Sequence, residues 1–284
     1  MPAISTTVES DSKFTRFVHR KPLLVFFFLA YLLGWIGFLP LVLTNIGMGV
    51  IHADVPIEFI VVGASTPTIA ALYTQWLLDR SFRICRLYRS WQTLLLGSVA
   101  GLALIMFAFA ILPSIVLAKV SPLALHWSAL LTPAVYGVNW STFLGGPVNE
   151  EPGWRGFALP RLQAQFGPVV GSILLGTLWA GWHLPLFFIH GWVNVPVWAF
   201  VLMLITVSVL IAWGTNLSRF SIVVPMLMHA AFNTSSRLLG ALCQGVPTRE
   251  PDLPYYLCAA GAVAIAAILL TRGRLGRSSP EPKT

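Results

Sequence analysis

The chain has 284 residues, of which 56% are hydrophobic and only 10% charged, with a mean hydropathy of +0.77. That balance excludes an ordinary soluble domain. The net charge of +8 comes from 18 Lys and Arg against 10 Asp and Glu, and the bases lie in tails and between apolar runs, where they set orientation and meet anionic headgroups rather than nucleic acid.

A basic stretch from Lys13 to Lys21 precedes the first apolar run. That run is too long for a signal-peptide core and lacks an A-x-A cleavage site, so residues 22–44 read as a retained first span. Further apolar runs predict spans over 56–78, 93–118, 129–150, 168–189, 195–215, 219–242 and 255–271, each near the ~20 residues that cross a ~30 Å hydrocarbon core. The expected fold class is therefore all-α: a polytopic membrane protein of about eight transmembrane helices, multi-pass in the cell membrane. Between the second and third spans, Arg83, Arg86 and Arg89 recur every three residues among apolar neighbours. That pattern suits either an interfacial amphipathic helix with snorkelling arginines or a plain cytoplasmic loop.

Lysine and arginine positions predict orientation. With the N-terminus inside, the inner segments hold Lys13, Arg16, Arg20, Lys21, Arg80, Arg83, Arg86, Arg89, Arg155, Arg161, Arg219, Arg272, Arg274, Arg277 and Lys283. The outer side keeps only Lys119, Arg237 and Arg249. This asymmetry predicts both termini in the cytoplasm and an even number of spans. Residues 1–21 and 272–284 are then cytoplasmic tails around one integral domain, 22–271. Cys85, Cys243 and Cys258 form neither a CxxC pair nor a disulfide framework. The last four residues, Glu281-Pro282-Lys283-Thr284, carry no CaaX cysteine, so prenylation is not expected there.

Three polar signals stand out inside the apolar runs. The first is Asn149-Glu150-Glu151-Pro152-Gly153-Trp154-Arg155-Gly156. Ionised groups near a bilayer interior are costly, so they usually face a polar cavity or find a partner. On a helix Glu150 and Glu151 point ~100° apart, whereas Glu151 and Arg155 have the i,i+4 spacing of an ion pair. One division of labour pairs Glu151 with Arg155 and leaves Glu150 facing a cavity as general base; the reverse assignment satisfies the same spacing. An ion cluster at a helix end would also produce it. Pro152, Pro147 and Gly145-Gly146 loosen the segment, and a helix break there frees backbone groups that need a polar cavity.

The second signal is Trp179-Ala180-Gly181-Trp182-His183, and the third is His229-Ala230-Ala231-Phe232-Asn233. His183 alone could be a core histidine bonded to a neighbouring helix. His229 and Asn233 share one helix face, which suits interhelical hydrogen bonds as well as a tautomer-fixing or oxyanion-donating role. His52, His126 and His190 fall in loops, and Asn139, Ser141 and Thr142 suit packing or cavity lining.

Glu-Glu-x-x-x-Arg, then aromatic-x-x-x-His, then His-x-x-x-Asn, each on its own apolar run, resembles the CPBP family, also called Abi or CAAX-protease-like. These are intramembrane proteases related to type II CAAX prenyl endopeptidases and to bacteriocin-processing or self-immunity proteins. The resemblance covers residues 129–242, with Trp179 where Phe is common in the family. It implies a membrane endopeptidase in which Glu150 and His183 activate water. His229 and Asn233 would stabilise the oxyanion or hold the site, while Glu151 and Arg155 orient it. The implied partner is a peptide or membrane-protein substrate within the lipid bilayer, reached from the cytoplasm. The family label favours a metalloprotease. Glu150, His183, His229 and Asn233 could hold a divalent metal such as Zn²⁺ with a water at an open position; the same residues serve a metal-free glutamate protease. Two other functions fit the residues: a non-enzymatic immunity or scaffold protein that binds a peptide in the same cavity, and a transporter with a proton relay, which lacks a visible inverted repeat.

The drawn spans put His183 about 22 Å deep and His229 about 14 Å deep, at 1.5 Å per residue, with Glu150 near the surface. For the groups to meet, the helix carrying Glu150 must start later and extend through 151–160, or the spans must tilt or shift.

Overall fold

The computed structural model describes residues 13–120, 124–131, 143, 145–243 and 252–277. Among them the chain is helical, with one isolated bridge between Arg86 and Ser221 and no strand. A short amphipathic helix, α1 (Lys13–Arg20), leads into α2 (Pro22–Leu43), where Pro22 stands in the first turn and needs no intrahelical N–H partner. After a loop come α3 (Ile60–Ala64) and α4 (Thr66–Asp79), then α5 (Trp91–Met106), which continues through a π-turn into α6 (Leu112–Val120). The Ser90 side chain caps α5 by accepting from the Thr93 N–H.

Six helical stretches among the described residues are long and apolar enough to cross a membrane: Pro22–Leu43, Ile57–Asp79, Trp91–Val120, Pro168–Phe188, Val197–Leu217 and Leu253–Leu270. The protein is an all-α, multi-pass membrane protein. Five of these stretches are α2, the α5–α6 unit, α9 (Pro168–Trp182) with its 3₁₀ extension, α10 (Val197–Leu217) and α12 (Leu253–Leu270). α11 (Val223–Leu242) is as long but more polar, because His229, Asn233, Thr234, Ser235 and Arg237 lie along it.

The expected span at 129–150 falls largely on residues outside the described set. Its last residues differ from the expectation: Gly145 and Gly146 form a turn, and a new helix starts at Pro147. That helix runs as α7 (Pro147–Glu151), a π-helical segment (Pro152–Ala158) and α8 (Leu159–Phe166) without interruption. Pro152 has no N–H to bond the preceding turn, and a widened π-turn absorbs the defect. The two glutamates therefore stand at the start of a helix, far from its Phe166 end. Gly153 makes this possible: a Cβ there would lie 2.4 Å from the Pro67 backbone of α4. Any side chain would push the two helices apart.

Residues 80–90 form a loop, and the amphipathic-helix alternative is not realised. Their backbone is engaged elsewhere: the Ile222 N–H donates to the Arg86 carbonyl, and the Ser221 hydroxyl donates to the Leu87 carbonyl. α2 is tied to α9 by aromatic donors and backbone acceptors. Trp182 Nε1 donates to the Ala30 carbonyl at 3.1 Å and Trp35 Nε1 to the Trp182 carbonyl at 3.2 Å, while the Tyr31 hydroxyl donates to the Leu178 carbonyl. Such bonds hold helices together where lipid supplies no hydrophobic drive between them.

Candidate active site

The site grows from the first turn of α7. Glu150, Glu151 and Arg155 are almost fully buried, at 3%, 0% and 1% exposure. Arg155 Nη1 donates to Glu151 Oε1 at 2.8 Å, the i,i+4 pair read from the spacing. The same oxygen lies 2.8 Å from Nδ1 of His229 on α11. A carboxylate oxygen can only accept, so Nδ1 carries the proton and Nε2 is the free ring atom. Arg155, Glu151 and His229 form one buried chain, in which the arginine offsets the carboxylate and the carboxylate orients the imidazole.

Glu150 has different partners. Its Oε2 accepts from Trp179 Nε1 at 2.7 Å and from Trp154 Nε1 at 3.3 Å. Its Oε1 lies beside Gly146: a Cβ there would be 3.2 Å from Glu150 Oε1 and 3.4 Å from His229 Nε2. The free oxygen of one group and the free nitrogen of the other thus border the same small space.

Trp179 joins these parts. Its N–H binds Glu150, and the Arg155 guanidinium sits 4.3 Å above its ring. Its ring meets the His229 ring at 5.0 Å and the His183 ring at 5.6 Å, both edge to face. Its backbone carbonyl accepts from His183 Nδ1 at 2.8 Å, which leaves Nε2 of His183 as that ring's free atom. The depth conflict among the drawn spans is resolved here: α7 starts late, and Trp179 bridges the remaining gap between His183 and the glutamates.

A cavity of about 840 Å³ opens over this cluster. Gly146, Glu150, Trp179, His183, His229 and Asn233 line it, so the structure brings the expected site residues to one wall, with Glu151 and Arg155 buried behind. Asn233 stands one helical turn beyond His229; the tautomer-fixing partner of His229 is Glu151 rather than Asn233. Ile57, Ile60, Val61, Phe200, Met203 and Leu204 supply apolar walls. The exposed rim carries Glu58, Trp192, Asn194 and Arg237. That rim is formed by the loops after α2 and α9 together with Arg237 near the Leu242 end of α11, at the end of the bundle opposite the arginine-rich 80–90 loop. A cytoplasmic opening and the N-inside orientation therefore exclude one another.

Among the described residues no three His, Cys, Asp or Glu side chains lie together as ligands of one ion. Glu150 Oε2 and both histidine Nδ1 atoms are engaged, which leaves Glu150 Oε1 and the two Nε2 atoms at the cavity without a partner among the described residues.

Two residues of the site, Trp179 and Gly146, carry only weak signals in the sequence. Trp179 was only a motif aromatic, although its position four residues before His183 already put both on one helix face. Gly146 was only a loosening element; its role depends on contacts with α11 that no local signal reveals.

The fold and the site define a multi-pass helical membrane protein with a buried acid–base cluster beneath a mostly apolar cavity. Residues 131–235 match the family model described as type II CAAX prenyl endopeptidase Rce1-like. A 119-residue stretch is 31% identical to "CAAX prenyl protease 2" of Methanococcus maripaludis, covering 39% of this chain and 44% of that relative. The chain thus matches less than half the length of that relative. Both comparisons make this chain similar to CAAX prenyl proteases, and the family model does so over the segment that carries the site residues.

Proposed function

We propose that this chain is a membrane endopeptidase that hydrolyses a peptide bond in a membrane-associated or peptide substrate, with Glu150 as the base. The observation that carries the reading is the shared space beside Gly146, bordered by Glu150 Oε1 and His229 Nε2 at the cavity wall. A water there has an acceptor on one side, and a peptide carbonyl has a donor on the other.

The chemistry follows from these two atoms. Glu150 Oε1 takes a proton from water as the water oxygen bonds to the carbonyl carbon. The carbonyl electron pair moves to oxygen, and the oxyanion accepts from Nε2–H of His229 in the form that carries a proton on both ring nitrogens, Nδ1–H staying on Glu151 Oε1. The Asn233 amide, on the same face of α11, is a second donor. The tetrahedral intermediate then collapses, the C–N bond breaks, and the proton held by Glu150 passes to the leaving nitrogen. His183 offers Nε2 to the substrate N–H. Arg155 orients Glu151, and Trp179 with Trp154 fixes which oxygen of Glu150 faces the cavity. No step is routed through a metal.

The apolar walls suit a substrate with apolar side chains or a lipid chain beside its scissile segment. A prenylated peptide, the substrate type in the matched family's description, belongs to that class. The test is cleavage of a peptide library, with and without a prenyl group, by wild-type and Glu150→Ala protein in liposomes. Loss of cleavage in a normally folded variant supports the protease. If the variant still meets the chain's cellular role in full, the cavity serves as a peptide-binding site of a non-enzymatic protein.

A further inference from the structure

A second hollow lies away from the site, between α5–α6, α11's neighbour α10 and α12. It holds about 510 Å³ and is almost wholly apolar, bounded by Leu104, Phe107, Leu112, Trp213, Ala266 and Leu270, and it ends at Thr271. Ala262, Ala266 and Ala267 leave the space on the α12 side. From Ala262 to Thr271 the hollow follows nine helical steps, roughly 13 Å at 1.5 Å per residue, which is acyl-chain rather than headgroup geometry.

Directly after Thr271, the last residue of α12's side of the hollow, the chain forms a fixed basic turn. Residues 272–277 carry Arg272, Arg274 and Arg277. The turn is anchored rather than frayed. Leu275 is fully buried, its N–H donates to Thr271 Oγ1 at 3.0 Å, and its carbonyl accepts from Asn216 Nδ2 at 2.9 Å. Gly276 packs on the backbone of Trp213, a wall of the hollow, where a Cβ would lie 3.3 Å from the Trp213 carbonyl. Arg272 and Arg274 remain exposed, and the Arg277 guanidinium sits 6.0 Å from the Phe220 ring centre. Positive charge is thereby held at the level of the helix ends, above an apolar slot at membrane depth.

We propose that this is a binding site for one anionic phospholipid, with an acyl chain in the α5–α6/α10/α12 hollow and the phosphate on the Arg272–Arg277 turn. Basic residues at a membrane surface attract anionic headgroups with about 1 kcal/mol each, near fivefold in affinity. The hollow adds chain burial, which a surface patch alone lacks. The site is separate from the cavity over Glu150 and does not depend on the protease reading.

The test uses the delipidated full-length protein in detergent, titrated with phosphatidylglycerol or phosphatidylcholine and read by native mass spectrometry. Phosphatidylglycerol is expected to bind at least tenfold more tightly. The substitutions Arg272→Gln and Arg274→Gln at exposed positions and Arg277→Gln at a half-buried one should together weaken it at least tenfold. Ala266→Phe, which fills the hollow from its lipid-facing side, should weaken it with the turn intact. Thermal melting in detergent reports that each variant is folded. Equal retention of both lipids overturns the proposal, as does unchanged binding in either variant. So does displacement of the lipid by inorganic phosphate at matched concentration, which would mean a simple anion site.

Discussion

The indole N–H of Trp179 lies 2.7 Å from Glu150 Oε2, and the same ring carries the Arg155 guanidinium on its face. One side chain thus touches both the proposed base and the cation behind the second glutamate. Hydrogen bonds to a charged group contribute about 1.5–3 kcal/mol, so this contact is large enough to set the orientation of Glu150. Trp179→Phe keeps the ring and removes the donor. It should lower kcat/KM on a cleaved peptide by roughly 10- to 100-fold, mainly through kcat, with a melting temperature near wild type. A loss confined to KM would assign Trp179 to substrate binding instead.

The Arg155–Glu151–His229 chain predicts a marked asymmetry. Arg155→Met removes the cation from a fully buried ion pair, leaving Glu151 only its contact with His229, and should destabilise the protein by about 3–5 kcal/mol. The double variant Arg155→Met/Glu151→Leu removes both charges and should recover part of that loss in a thermal melt. It should not recover cleavage, because His229 then lacks the carboxylate that orients it. Recovery of cleavage would show that Glu151 only neutralises Arg155.

Gly146→Val tests the space between Glu150 and His229. A Cβ at this position meets both reactive atoms at 3.2–3.4 Å, and the larger side chain would occupy the proposed water position. Cleavage should fall at least 100-fold, while binding of a peptide at the apolar walls persists in a fluorescence titration. Unchanged turnover would move the attacking water elsewhere in the cavity.

Several of these relationships were legible in the sequence, and the reason is locality. Glu151 and Arg155 are four residues apart on a helix, so their pairing follows from helix geometry; the same holds for the shared face of His229 and Asn233. Composition and span length sufficed for an all-α membrane protein. The demand that the helix carrying Glu150 start later was legible from the mismatch of the three motifs, but its start at Pro147 was not, because a helix that restarts after Gly145-Gly146 looks like the end of an apolar run. For 80–90 the sequence left a loop and an amphipathic helix both open: the three-residue arginine period is helix-like, and what decides for the loop is that Ser221 and Ile222 bind its backbone from over 130 residues away. Trp179 was recognisable as a motif aromatic, yet its reach to Glu150 depends on how α9 packs against α7.

Metal dependence provides an independent check. Because no three described His, Cys, Asp or Glu side chains lie together as ligands of one ion and no proposed step uses a metal, protein treated with 1,10-phenanthroline and dialysed should keep its cleavage rate. Metal analysis should find less than one zinc per chain. Stoichiometric zinc with loss of activity on chelation would instead restore Glu150, His183, His229 and Asn233 as a ligand set.

The most direct measurement is cleavage of a membrane-presented peptide library by wild-type protein, Glu150→Gln and Glu151→Gln, with product termini identified by mass spectrometry. Glu150→Gln keeps the shape and an acceptor for both indoles but cannot take a proton from water. The account predicts defined cuts by wild type, loss of at least 1,000-fold in Glu150→Gln with normal folding, and a smaller loss in Glu151→Gln, about 10²–10⁴-fold being typical of a general base and lesser values of an orienting group. Cleavage by Glu150→Gln at the wild-type rate would contradict it.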